Sequence, residues 1–170
     1  MISSLGGQVE LLEALVNHAS ERGIKVALNP GKDEIKKLTA DRRQLERIAA
    51  KLEVLLINRE EMSELLGREV VDSLVWDEQN LISTPKITVM TDGKQGGQVC
   101  TGGRCWHYQP MLVETIEETG AGDAFGSGLV SALIKGKSME DAVEWGKKQA
   151  ASVVQHMGPK KGLMNLDEMV

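Results

Sequence analysis

The sequence predicts an α/β fold, a mostly parallel sheet with helices on both faces. Amphipathic segments at helical spacing alternate with short apolar runs, and Gly or Pro punctuates most of the junctions. The runs are apolar throughout rather than every second residue. That is the pattern of strands buried on both faces, since a half-exposed strand would alternate. At 170 residues the chain has the length of one domain, and it is expected to form a single α/β domain over 1–170. Aromatics make up only 3% of it and glycines number 18, so the core is expected to be aliphatic and tight turns plentiful.

The elements follow in order. Residues 8–22 read as an amphipathic helix through Val9, Leu12, Leu15, Val16 and Ala19, closed by Gly23. Residues 25–29 form a buried strand that Asn29-Pro30-Gly31 ends. Asp41 caps a helix over 41–52 that carries Leu45, Ile48, Ala49 and Leu52 on one side. Residues 53–57 are a second strand, 59–66 a helix ending at Gly67, and 86–90 a third strand before Thr91-Asp92-Gly93. A hairpin is predicted over 97–108, turning at Thr101-Gly102-Gly103. Two long helices complete the chain. One covers 121–135, and the next opens at Ser138-Met139-Glu140-Asp141 and ends at Gly158-Pro159.

Composition excludes several classes of function. A net charge of −5 argues against a nucleic-acid partner. No apolar run approaches the roughly 20 residues of a membrane span, and residues 11–16, preceded by Glu10, are too short for a secretory leader. Two cysteines cannot build a disulfide scaffold. Cys100 and Cys105 flank the hairpin turn and are expected to be free thiols in a cytoplasmic protein. His18, His107 and His156 lie in different elements, which gives no support to a metal cluster or a Ser-His-Asp triad.

The chemistry concentrates in Glu117-Glu118-Thr119-Gly120-Ala121-Gly122-Asp123-Ala124-Phe125-Gly126. Small residues let a ligand approach the backbone, and the first amides of the helix point outward without intrahelical partners. Such a terminus stabilises an anion through hydrogen bonds and the helix dipole. Asp123 falls in that first turn. If the anion is a phosphoryl group in transfer, a carboxylate beside it can accept the proton of the attacking hydroxyl. The same residues also fit a plain glycine-rich helix start with Asp123 as a capping acid. A dinucleotide fingerprint is excluded, because bulky Phe125 stands at its third small position.

Thr119-Gly120-Ala121-Gly122-Asp123-Ala124-Phe125 resembles the second signature of the ribokinase-like (PfkB) carbohydrate kinases. Asn29-Pro30 after the first strand, Asn58-Arg59-Glu60-Glu61 after the second, and Thr91-Asp92-Gly93-Lys94-Gln95-Gly96 after the third resemble three more of that family's segments, in the family's order. The resemblance implies a ribokinase-like three-layer α/β/α fold and transfer of the γ-phosphoryl of ATP to an alcohol of a sugar or sugar-like molecule. Carried over by motif, Asp123 would be the general base, and the Gly120, Ala121 and Gly122 amides the anion hole. Asn58, Thr91, Gly93 and Gly96 would bind the nucleotide. Glu61, with Asn58, would hold Mg²⁺ through water, as an ion that prefers oxygen and keeps its waters is usually held. Without the resemblance, Asn58 and Glu61 read as a helix cap with an acidic first turn, and Gly96 as part of a plain turn.

Two segments depart from the family pattern. Glu117-Glu118 stands where relatives often carry Asp-Thr, a segment that in some members helps bind a monovalent cation. Lys160 and Lys161 occupy a position where relatives place a small-residue loop beside the adenine; lysines there also fit a solvated tail. The family's N-terminal half, with its Gly-Gly substrate signature and β lid, has no recognisable counterpart. The chain is therefore expected to be truncated, the C-terminal ATP-binding part of a sugar kinase, with a complementary N-terminal half or a homodimer as partner. The alternative is a nucleotide-binding or structural fragment without kinase activity by itself.

Overall fold

The apolar runs become strands of one five-stranded sheet. The computed structural model describes residues 1–70 and 85–169, and these divide into two compact units, Met1–Tyr108 and Gln109–Val170.

The first unit contains α1 (Val9–Glu21), β1 (Ala27–Leu28), α2 (Lys32–Ala40), α3 (Arg42–Ala49), β2 (Val54–Asn58), α4 (Arg59–Leu66), β3 (Ile87–Thr91), β4 (Gly97–Thr101) and β5 (Arg104–Tyr108). The strands lie in chain order. β1, β2 and β3 are parallel, and β4 and β5 extend the sheet as the antiparallel hairpin. One face of β2 presents Leu55 and Ile57 to a core completed by Val9, Leu12 and Val16 of α1, Ile35 and Leu38 of α2, Ile48 of α3 and Met62 of α4. The opposite face carries a row set by register, Leu56 beside Val89 beside Val99, each at most 2% exposed. Both faces are thus buried, which is why β2 is apolar from Val54 to Ile57.

Three local features differ from the sequence expectation. β1 is two residues long, and its outer edge is extended by Ile2, whose N–H donates to the Ala27 carbonyl at 2.8 Å. α2 is an additional helix. Its sequence is mostly charged and offers only Ile35 and Leu38 to the core, too thin a stripe to reveal it by periodicity. What holds its start is Glu34, 1% exposed. Oε1 accepts from the Leu5 and Gly7 N–H groups, both at 2.7 Å, and Oε2 from the Ser4 hydroxyl at 2.9 Å and the Gly31 N–H at 3.0 Å. Burial alone would push this carboxyl up, but the Gly7, Ser4 and Leu5 donors outweigh it and hold it below the usual carboxylate range.

The third difference is a correction. Cys100 and Cys105 are joined by a disulfide rather than free. The hairpin turns on Gly102 and Gly103 alone, both with positive φ (57° and 75°), as a type I′ turn requires. That two-residue loop sets a register in which Cys100 faces Cys105 directly.

The second unit is built on α5 (Ala121–Ile134) and α6 (Met139–Val154). The Ser138 hydroxyl accepts the Asp141 N–H at the start of α6. The helices approach closely at small residues. A Cβ on Gly128 would sit 2.6 Å from the Trp145 carbonyl oxygen, and one on Gly146 would sit 3.0 Å from Phe125. Among the described residues no helix is long and apolar enough to cross a membrane.

Candidate functional site

In the first unit, parallel pairing aligns the carboxyl ends of β2 and β3. Asn58 and Thr91, their last residues, are register partners, so two motifs 33 positions apart in sequence become neighbours at one sheet edge. Open α/β sheets bind ligands at this edge. The segment after β3 is held by its own backbone: the Asp92 N–H donates to the Gly96 carbonyl at 2.8 Å, and Gly93–Gln95 forms a single 3₁₀ turn. Arg59, the first residue of α4, pairs with Asp92 across the two segments. The sequence contained no signal for that ion pair, since neither residue belongs to the fixed positions of its motif.

Asn58 and Glu61 form a reciprocal capping box. The Asn58 Oδ1 accepts the Glu61 N–H at 2.8 Å, and the Glu61 Oε2 accepts the Asn58 N–H at 3.1 Å. The capping reading of these residues is therefore realised in the fold. Glu61 is 8% exposed, and burial pushes its carboxyl above the usual range, with the Asn58 N–H only partly offsetting it. An under-compensated buried carboxylate suits a hydrated divalent cation, which would supply the missing positive charge through oxygen ligands. Among the described residues, no three acidic, His or Cys side chains gather in a cluster that could hold a metal.

In the second unit, Gly120 adopts the left-handed conformation (φ 87°) immediately before α5. It cannot be replaced without strain, because a Cβ would also meet the Pro159 carbonyl oxygen at 2.6 Å. The Ala121 N–H donates to the Glu118 carbonyl at 3.2 Å, closing the turn that leads into the helix. Gly122 and Asp123 follow, both exposed, and a Cβ on Gly122 would meet nothing within 4 Å. A helix terminus with open space over its first turn can accept an anionic group against its amides.

Glu117 stands on the same loop. Its Oε2 accepts the Gly158 N–H at 2.8 Å, which, with the Thr119 hydroxyl, holds the carboxyl below the usual range. The Gly158–Gly162 segment, with exposed Lys160 and Lys161, is thereby joined to the loop that precedes α5; the Ser152 hydroxyl donates to the Gly162 carbonyl at 2.6 Å. The carboxylate that the sequence associates with a monovalent cation is thus committed in part to a backbone amide.

A sequence profile of the pfkB family carbohydrate kinases matches residues 4–165. A ribokinase of Haemophilus influenzae is 28% identical over 165 residues, covering 92% of this chain and 50% of its own length. The fold superposes on a nucleoside kinase of Methanocaldococcus jannaschii, an archaeal member of the ribokinase family, with a TM-score of 0.82 at 21% identity, covering 98% of this chain and 52% of that one. It also superposes on a protein provisionally named ribokinase II from Escherichia coli, solved with ATP and Mg²⁺, with a TM-score of 0.78 at 20% identity, covering 95% and 52%. The chain spans about half the length of these relatives. A family match over nearly the whole chain, on a ribokinase fold, identifies it as a member of the pfkB family of carbohydrate kinases.

Proposed function

We propose that residues 1–170 are the ATP-binding part of a carbohydrate kinase that transfers the γ-phosphoryl group of ATP to an alcohol of a sugar or sugar-like molecule. The observation that carries this reading is the left-handed Gly120 leading into α5, with open space over Gly122 and exposed Asp123 in the first turn. The Gly120–Gly122 backbone is the anion hole, at a helix start with open space over Gly122; the Ala121 N–H, which closes the turn onto the Glu118 carbonyl, is the least available of its amides. Asp123 takes the proton of the attacking hydroxyl. Asn58, Thr91, Gly93 and Gly96 serve the nucleotide, and Glu61, with Asn58, would hold Mg²⁺ through water. The ion would supply charge neutralisation of the phosphates when bound.

Phosphoryl transfer depends on positioning as much as on charge. This chain matches about half the length of its relatives, so by itself it is expected to bind MgATP and transfer poorly. A complementary substrate-binding half, or a second copy, would orient the hydroxyl. The test is Asp123→Asn in a chain supplied with such a half. Turnover is expected to fall about 10²–10⁴-fold while MgATP affinity stays within about threefold. Unchanged turnover would remove Asp123 from the role of base and favour a nucleotide-holding fragment.

A further inference from the structure

The hairpin carries chemistry that phosphoryl transfer does not use. We infer that Cys100 and Cys105 form a reversible redox site, a dithiol/disulfide couple that exchanges with low-molecular-weight thiols and disulfides of the glutathione class.

The placement follows from the turn. With Gly102-Gly103 as a two-residue loop, Thr101 and Arg104 are the closing pair and Cys100 faces Cys105 at the next rung. Rungs of an antiparallel ladder alternate between wide hydrogen-bonded and narrow non-hydrogen-bonded pairs. The Cα separation of 4.2 Å is that of a narrow rung, where side chains on one face come closest. The two sulfurs therefore meet without any rearrangement of the backbone.

The bond is also not needed to hold the strands. β4 is paired along all five residues with β3, and the Gly-Gly turn returns β5 onto β4 in register. Both redox states can keep the same fold. Access is unequal, since Cys105 is exposed and Cys100 half-buried. Exposed disulfides are the labile ones.

An external thiolate attacks the Cys105 sulfur, forming a mixed disulfide there and releasing Cys100 as thiolate. A second thiolate attacks the external sulfur of the mixed disulfide, releasing Cys105 and the small-molecule disulfide. Two electrons and two protons pass from two thiols to the protein disulfide, and the reverse sequence restores the bond.

The experiment uses the full native chain and glutathione. Thiols titrated without denaturant should rise from zero to two per chain on treatment with reduced glutathione. They should return to zero with glutathione disulfide, while far-UV circular dichroism stays constant. Thiols that appear only in denaturant, or that persist after oxidised glutathione, would overturn the inference, as would loss of helix and strand signal on reduction. Cys100→Ser and Cys105→Ser test the order of attack. The lone Cys105 should react with a maleimide several-fold faster than the lone Cys100, and the reverse ratio would refute the assignment of Cys105 as the attacked sulfur.

Discussion

Replacing Glu34 by Ala should be one of the most damaging single changes in the first unit. The substitution removes the acceptor for four donors, the N–H groups of Leu5, Gly7 and Gly31 and the hydroxyl of Ser4. Hydrogen bonds to a charged partner contribute roughly 1.5–3 kcal/mol each, and a stranded buried donor costs roughly 1–3 kcal/mol. Gly7 is buried, Leu5 and Gly31 are partly exposed, and the exposed Ser4 hydroxyl can turn to water. The four terms therefore do not add in full, and a total loss of about 3–5 kcal/mol is expected. Glu34→Gln keeps one oxygen for Leu5 and Gly7 but turns an amide donor toward the Gly31 N–H, for a loss of about 1–2 kcal/mol. Urea unfolding measures both, and amide exchange at Leu5 and Gly7 localises the effect. The sign with pH is fixed by the lowered carboxyl. Its contribution is complete above the usual carboxylate range and is lost as pH falls through the lower folded value, so the wild type should converge on the Gln variant in acid. A loss below about 1 kcal/mol for Glu34→Ala would refute the anchoring role, as would a wild-type-to-Gln difference that does not vary with pH.

Other consequences are more local. Gly120→Ala must strain a φ of 87° and drive a Cβ against Pro159; a loss of about 1–3 kcal/mol in unfolding free energy is expected, and a neutral result would contradict the close approach. Glu61 has a carboxyl raised by burial, so ionising it costs folded-state stability above its folded pKa, a cost relieved as pH falls through that value. Mg²⁺ favours the ionised form, so in the presence of ATP its affinity should weaken as pH falls through the same range. Glu61→Gln should abolish that dependence in a calorimetric titration; an unaltered pH profile would remove Glu61 from the metal site.

Much of this arrangement was legible in the sequence because the motifs sit where strands end. Asn58 and Glu61 carry two signals at once, since a residue that caps α4 must also stand at the carboxyl edge of β2. The helix over Arg59–Leu66 begins where its capping residues place it and ends at Gly67. α2 was not legible, because its stability rests on one buried carboxylate reaching back 27 to 30 residues in sequence to Ser4–Gly7 rather than on a periodic apolar face. The Arg59–Asp92 ion pair was hidden for a similar reason. It exists only once parallel pairing aligns two strand ends. The disulfide was not legible, because compartment alone favours free thiols and the facing of Cys100 and Cys105 depends on a register that the structure sets with a loop of Gly102 and Gly103.

The most direct test of the nucleotide role is calorimetric titration of MgATP into the chain and into Gly122→Val. A Cβ at Gly122 meets nothing within 4 Å beyond its chain neighbours and the backbone of its own helix, so the variant should fold as the wild type does while its branched side chain fills the space over the α5 amides. The expected result is micromolar to submillimolar binding by the wild type, weakened about 10-fold or more in the variant, the equivalent of losing one charged hydrogen bond. Equal affinity in the two folded proteins would contradict an anion hole at Gly120–Gly122, and a folded wild type that binds no MgATP would contradict the nucleotide-binding role itself.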